Sequence, residues 1–156
     1  MIHDIFFEFF SQTLGWGPHV YARLFVFFIS VFFSILFLQS GLDKIISFSA
    51  NLNYFKDHFK NTFFKNQVKF LLIIITFLEC LTGILFLIAL SSIITGDLLS
   101  DYFVAIFFAL VTLSSLFLGQ RLAQDYTGAV SLAIYFLIAL IGLALPLLWL
   151  VVLELF

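Results

Sequence analysis

Charge is what this chain has least of. Only 10% of its residues are Asp, Glu, Lys or Arg, against about 25% in ordinary soluble domains. A surface that poor in ions cannot keep a folded domain in water, so lipid is left as the solvent. Cysteine is nearly absent as well. The single thiol, Cys80, rules out an internal disulfide, a CxxC redox pair and a thiolate metal cage. Net charge is −2, with no basic cluster to neutralise phosphates, so nucleic-acid binding is excluded. The three histidines, His3, His19 and His58, fall outside the apolar runs, so no pair can ligate a haem across a bilayer. There is no GxGxxG, P-loop, HExxH or serine elbow. These gaps predict no cofactor and no metal held by the chain itself, and no enzyme activity of its own. The start, MIHDIFFEFF, has two acids and no cation. It is not the basic-then-apolar pattern of a signal peptide and is expected to stay on the protein.

What is present is apolar surface. Hydrophobic residues make up 63% of the chain, and the mean hydropathy is +1.20. The 24 Phe residues serve as lipid-facing and core filler. Four apolar runs, at about 20–39, 68–90, 102–118 and 129–153, are each near the ~17–25 residues that cross a hydrocarbon layer of roughly 30 Å. Lipid offers no hydrogen bonds, so each run must satisfy its own backbone, as helices do. Period-2 polarity, the sign of a membrane β-barrel, is absent. The connection 40–67 is long, whereas 91–101 and 119–128 are short, which predicts that the second, third and fourth spans run up and down as neighbours.

Within the long connection, Ile45, Phe48, Leu52, Phe55, Phe59 and Phe63 recur at helical spacing, with Asn51, Asn53, Lys56, Asp57 and Lys60 between them. That pattern predicts an amphipathic helix lying in the membrane interface. Ile2, Ile5, Phe6, Phe9 and Phe10 predict a shorter surface helix, ended by Trp16-Gly17-Pro18-His19. Trp16 and Trp149 fall near span boundaries, where amphipathic rings prefer to sit. The expected fold is an all-α membrane protein. Residues 1–19 form an N-terminal interfacial segment, and 20–153 form a four-helix transmembrane bundle with an amphipathic interfacial helix between spans one and two.

Orientation follows from the basic residues. Lys44, Lys56, Lys60, Lys65, Lys69 and Arg121 share one side, and Arg23 alone falls on the other. The positive-inside bias puts the connections 40–67 and 119–128 in the cytoplasm and both termini outside.

Glu79 is the most informative residue. A carboxylate near mid-span costs on the order of 3 kcal/mol on insertion scales. It must be protonated, paired or facing a wet cavity. It shares a polar, small face with Thr76 and Gly83. Two readings stand side by side: a proton-linked or ligand-contacting acid, or an internal lock between helices. The candidate cation is Arg23, which heads a stripe through Phe27, Ser30, Ser34, Phe37 and Gly41 at spacings of three and four, and which either reaches inward to Glu79 or snorkels outward to the headgroups. Glu79, Arg23, Thr76 and Ser34 thus form a candidate intramembrane polar site. Asp43 and Lys44 after span one, with Gln120, Arg121 and Asp125 after span three, form a candidate cytoplasmic-end cluster. They are either an ion-pair ring at the bundle mouth or solvated loop charges of small worth. Tyr135, Ala139, Gly142 and Pro146 read as packing positions of the last span, with Pro146 expected to kink it.

Taken in order, the polar elements resemble the DoxX family of bacterial membrane proteins. The matching pieces are Arg23 opening span one, LFLQSGLDKIISF (36–48), FLECLTGILFLIA (77–89) and FLGQRLAQDYTGA (117–129). They cover most of 20–145. The resemblance implies a four-helix bundle in the bacterial inner membrane, where the charge bias above would put both termini in the periplasm. It carries its pattern on Arg23, Ser40, Gly41, Lys44, Glu79 and Gly83. It also implies an accessory subunit in a larger membrane protein complex or a homo-oligomer, surrounded by membrane lipids and with quinone or lipid contact. Relatives of that family serve quinone-linked redox complexes.

Overall fold

The computed structural model describes residues 2–14, 20–95 and 100–155. Among them are six helices and no strand: α1 (Ile2–Leu14), α2 (Val20–Ile46), α3 (Phe48–His58), α4 (Val68–Thr95), α5 (Ser100–Leu122) and α6 (Tyr126–Leu155). Four of these, α2, α4, α5 and α6, are long and apolar enough to cross a membrane. The chain is therefore a multi-pass, all-α membrane protein. At 1.5 Å rise per residue, even the 23-residue α5 reaches past a hydrocarbon layer of roughly 30 Å.

Each spanning helix runs further than its apolar run. The largest difference is in α2. The first apolar run ends at about 39, where Ser40, Asp43 and Lys44 have the composition of a loop. The helix continues to Ile46 and carries Ser40, Gly41 and Lys44 into the bundle. Ser47 then bends the chain into α3 almost without a break. The Ser47 amide donates to the Asp43 carbonyl at 2.9 Å, and Asn51 Nδ2 donates to the carbonyls of Asp43 and Ser47.

The helices pack in the order α2, α4, α5, α6, each chiefly on the next, and α6 also touches α2. The expected up-down arrangement of the last three spans is what forms. Only 33% of the spanning window of α2, α4 and α5, and 17% of that of α6, is buried inside the protein. The outer faces carry Phe28, Ile35, Phe70, Phe77, Phe107 and Leu148, which water would punish and lipid accepts. Inside, Phe33, Phe37 and Phe86 stack at the α2–α4 contact, with Tyr102 edge-on to Phe86.

Two hydroxyl contacts join the remaining helices. Thr82 of α4 and Thr112 of α5 share a buried hydrogen bond of 2.9 Å, and the Tyr102 hydroxyl of α5 donates to the Gly142 carbonyl of α6 at 2.7 Å. Neither was foreseen, since each joins polar atoms on separate helices that sequence spacing does not relate. Ala139, Gly142 and Pro146 are buried on α6, as packing positions should be, and Pro146 lies inside the helix.

α3 has no fully buried residue and lies against the end of the bundle formed by α2 and α4. Its half-buried face includes Phe48, Leu52 and Phe55, continued by Phe59 just past its end, four of the expected apolar positions, whereas Ile45 on α2 and Phe63 are exposed. α1 differs from its expected face. Phe7 and Phe10 pack against the core, while Ile5, Phe6 and Phe9 are exposed. The turn expected at Trp16-Gly17-Pro18-His19 lies outside the described residues.

Candidate functional site

Gly41 of α2 and Gly83 of α4 make the site. A Cβ on Gly41 would stand 2.6 Å from Cys80 Sγ and 3.2 Å from the Cys80 amide. One on Gly83 would stand 2.6 Å from Leu38 Cγ and 3.0 Å from the Leu38 amide. Each helix thus uses one missing side chain to approach the other's backbone, the small-residue packing that lipid-embedded helices favour. Ser40, Gly41 and Lys44 on α2, and Glu79 and Gly83 on α4, are the two sides of this crossing.

The close approach lets α2 reach the buried acid. Helical side chains lean toward the N-terminus of their helix, so Lys44 turns back up α2 instead of running on to the headgroups. Its Nζ donates to Ser40 Oγ at 2.8 Å, to the Ser40 carbonyl at 3.3 Å and to Glu79 Oε1 at 3.0 Å. Ser40 Oγ donates to the same Oε1 at 2.8 Å. Lys44 Nζ is also 3.0 Å from Glu79 Oε2. That oxygen is in ionic contact but accepts no hydrogen bond of good geometry. Glu79 is 1% exposed and Lys44 9%.

Arg23 is not the cation of Glu79. It lies on the same helix as Lys44 but roughly 30 Å away at ~1.5 Å per residue, toward the opposite end of the bundle. The signal for Lys44 was present in the sequence: the stripe 23, 27, 30, 34, 37, 41 takes one more step of three to 44. The loop-like composition after residue 39 hides it, whereas α2 runs on through Lys44. The other members of the expected intramembrane site stay apart from the pair. Thr76 returns its hydroxyl to the Leu72 carbonyl at 2.7 Å, and Ser34 is buried in α2 with its Oγ unbonded.

The expected cytoplasmic-end cluster does not form an ion-pair ring. Lys44 has left it for Glu79, and the Asp43 side chain is exposed. Gln120, Arg121 and Asp125 build the α5–α6 turn. The amide of Asp125 donates to the Gln120 carbonyl at 2.9 Å, and that of Gln124 to the Arg121 carbonyl at 3.2 Å. Gln124 sits at φ 61°, so the turn is a Schellman closure made without glycine. Asp125 Oδ1 then accepts from the Gly128 amide at 2.9 Å and caps the start of α6. Arg121 lies over the Tyr126 ring at 4.8 Å, and His58 of α3 is 3.4 Å from Gln120 Oε1 and 3.9 Å from Asp125 Oδ2.

A cavity of about 530 Å³ opens at this end of the bundle, between α2, α4, α5 and α6. Phe55 of α3, with Phe59 and Phe64 beyond it, contributes to its wall. Leu72, Ile75, Leu78, Leu116 and Leu132 make most of it apolar, while Ser40, Lys44 and Glu79 supply polar groups on one part of the wall and Ser115, Gln120 and Ser131 on another. The volume falls within the ~300–1,000 Å³ of small-molecule sites, and a mostly apolar wall with a few polar groups is their usual character. No group of three or more metal-ligating side chains occurs among the described residues. Comparison with protein-family models, with curated proteins and with solved structures finds no match for this chain.

Proposed function

We propose that this protein is a DoxX-type subunit of a larger membrane-associated complex, in the bacterial inner membrane. There it holds an apolar molecule drawn from the bilayer beside the Lys44–Glu79 pair. The observation that carries the reading is the placement of that pair. Together with Ser40 it forms one polar part of the wall of a mainly apolar cavity at the end of the bundle. A helix lock alone has no need of such a cavity. Quinones and lipids are the bilayer molecules that the resemblance to DoxX supports, and a quinone-linked redox complex is the assembly it supports. The basic residues on one side favour an orientation with α3 and the α5–α6 turn in the cytoplasm and both termini in the periplasm.

A proton-coupled transport bundle is the second reading. The cavity reaching Glu79 favours it. It fits less well, because the wall is mainly apolar and the carboxylate is already held by an ammonium and a hydroxyl.

The test is gentle extraction of the tagged protein in native lipid discs, followed by mass spectrometry of everything retained. The proposal expects a larger membrane-associated protein and a defined apolar small molecule. It also expects the small molecule to be lost when Lys44→Met and Glu79→Leu are combined. A chain recovered alone, with only bulk lipid in every sample, contradicts it.

A further inference from the structure

Two sides of the cavity differ in what closes them. Ile74 and Leu118 line it and are 39% and 57% exposed, so one side opens toward lipid. At the end of the bundle the wall is aromatic, made by Phe55, Phe59 and Phe64. The helix that carries this cover is lightly held. α3 has no fully buried residue, and Ser47 at its start makes no side-chain cap. It packs on α2 and α4, along one edge of the mouth. Across the mouth it meets α5 and the α5–α6 turn through Phe59 and His58. The Phe59 ring comes within 3.7 Å of where a Cβ on Gly119 would stand.

The His58 contact depends on a proton. Its Nε2 faces two acceptors, Gln120 Oε1 at 3.4 Å and Asp125 Oδ2 at 3.9 Å. A neutral imidazole has one N–H to place on either nitrogen, whereas the imidazolium always presents an N–H here and adds a charge opposite to Asp125. The other ionisable groups around it are engaged or turned to solvent. Tyr54 stacks on the imidazole at 5.4 Å, Asp57 pairs with Lys60, and Arg121 lies over Tyr126. On the helices beneath α3, Lys44 holds Glu79, while Asp43 and Lys69 are exposed.

We infer that α3 is a lid over the cavity, latched by His58 onto Gln120 and Asp125, and that protonation of His58 tightens the latch. The lid is shut more often at low pH. As pH rises through the imidazole range, between about pH 5 and 8, the charge is lost and the lid opens more often. The contact is partly exposed, so the change is small, about two- to fivefold. The inference deepens the reading of the cavity as a ligand site by naming what regulates it, and rests on that reading for what enters.

The experiment uses the full chain in phosphatidylcholine nanodiscs, with Cys80→Ala and Leu132→Cys leaving one thiol, on the cavity wall. A permanently charged methanethiosulfonate reagent reaches that thiol from water and not through lipid. Labelling rates with and without His58→Gln are compared at the same pH, which cancels the thiol's own titration. At about pH 5.5 the His58→Gln form labels about two- to fivefold faster, and at about pH 8 the two agree. Hydrogen exchange of the amides of 48–59 gives the same pair of ratios without an introduced cysteine. Equal rates at both pH values, or a ratio that does not change with pH, overturn the lid. Decylubiquinone added before labelling tests the underlying reading separately. Protection of the Leu132→Cys thiol supports a ligand site. Without protection the ligand reading fails, while the lid stands on the two ratios.

Discussion

Two polar sets occupy the same end of this bundle under different rules. Ser40, Lys44 and Glu79 lie within helices at the α2–α4 crossing, where each hydrogen bond is made to a neighbouring side chain or backbone group and Glu79 is 1% exposed. Gln120, Arg121 and Asp125 lie at a turn. Their main work is local there, closing α5, capping α6 and lying over Tyr126. The side chains of His58 and Asp125 remain 21% and 26% exposed, so solvent screens their contact. The same residue types thus carry very different weight. What decides it is whether the surroundings can supply a substitute partner.

The sharpest way to break this contrast is to remove one partner on each side. Lys44→Met leaves a carboxylate buried against apolar side chains, and a stability loss of about 3–5 kcal/mol is expected. Reversible unfolding in mixed micelles measures it. A loss below about 1 kcal/mol would put the crossing on the same footing as the turn.

The glycines give the next contrast. Gly83→Ala drives a methyl to 3.0 Å from the Leu38 backbone and pushes α2 from α4, for an expected cost of about 1–3 kcal/mol. Gly128→Ala at the turn meets only the movable ends of Asp125 and Gln120 and costs less. The same unfolding assay ranks the two, and the reverse order would sink the close-approach account.

Asp125→Ala removes a helix cap and should cost about 1 kcal/mol, with the loss of helicity in circular dichroism confined to the start of α6. Arg121→Ala gives the smallest effect. It removes an exposed cation–π contact worth about 0.5–1 kcal/mol and should leave the melting temperature nearly unchanged.

How far the sequence reached follows the same divide. The spans were legible because about twenty consecutive apolar residues have few other homes. α3 was legible because its Phe residues recur at helical spacing. Glu79 stood out because a mid-span carboxylate is costly wherever it is found. Its partner was misread because the segment Gln39-Ser40-Gly41-Leu42-Asp43-Lys44 has the composition of a loop. It is helical, with Gly41 and Lys44 buried because α4 presents Glu79 and Cys80 against them, a tertiary fact. The Thr82–Thr112 bond and the left-handed Gln124 were out of reach for a related reason. The first joins two residues with no pattern between them. The second sits where most chains would place glycine or asparagine.

The central claim is that Glu79 is held by Lys44 and not by Arg23. A double-mutant cycle tests it most directly, pairing Glu79→Gln first with Lys44→Met and then with Arg23→Met, each followed by reversible unfolding. The account predicts a coupling of at least about 2 kcal/mol for the Lys44 pair, with the Arg23 pair additive within about 0.5 kcal/mol. Additivity at Lys44, or strong coupling to Arg23, would contradict it.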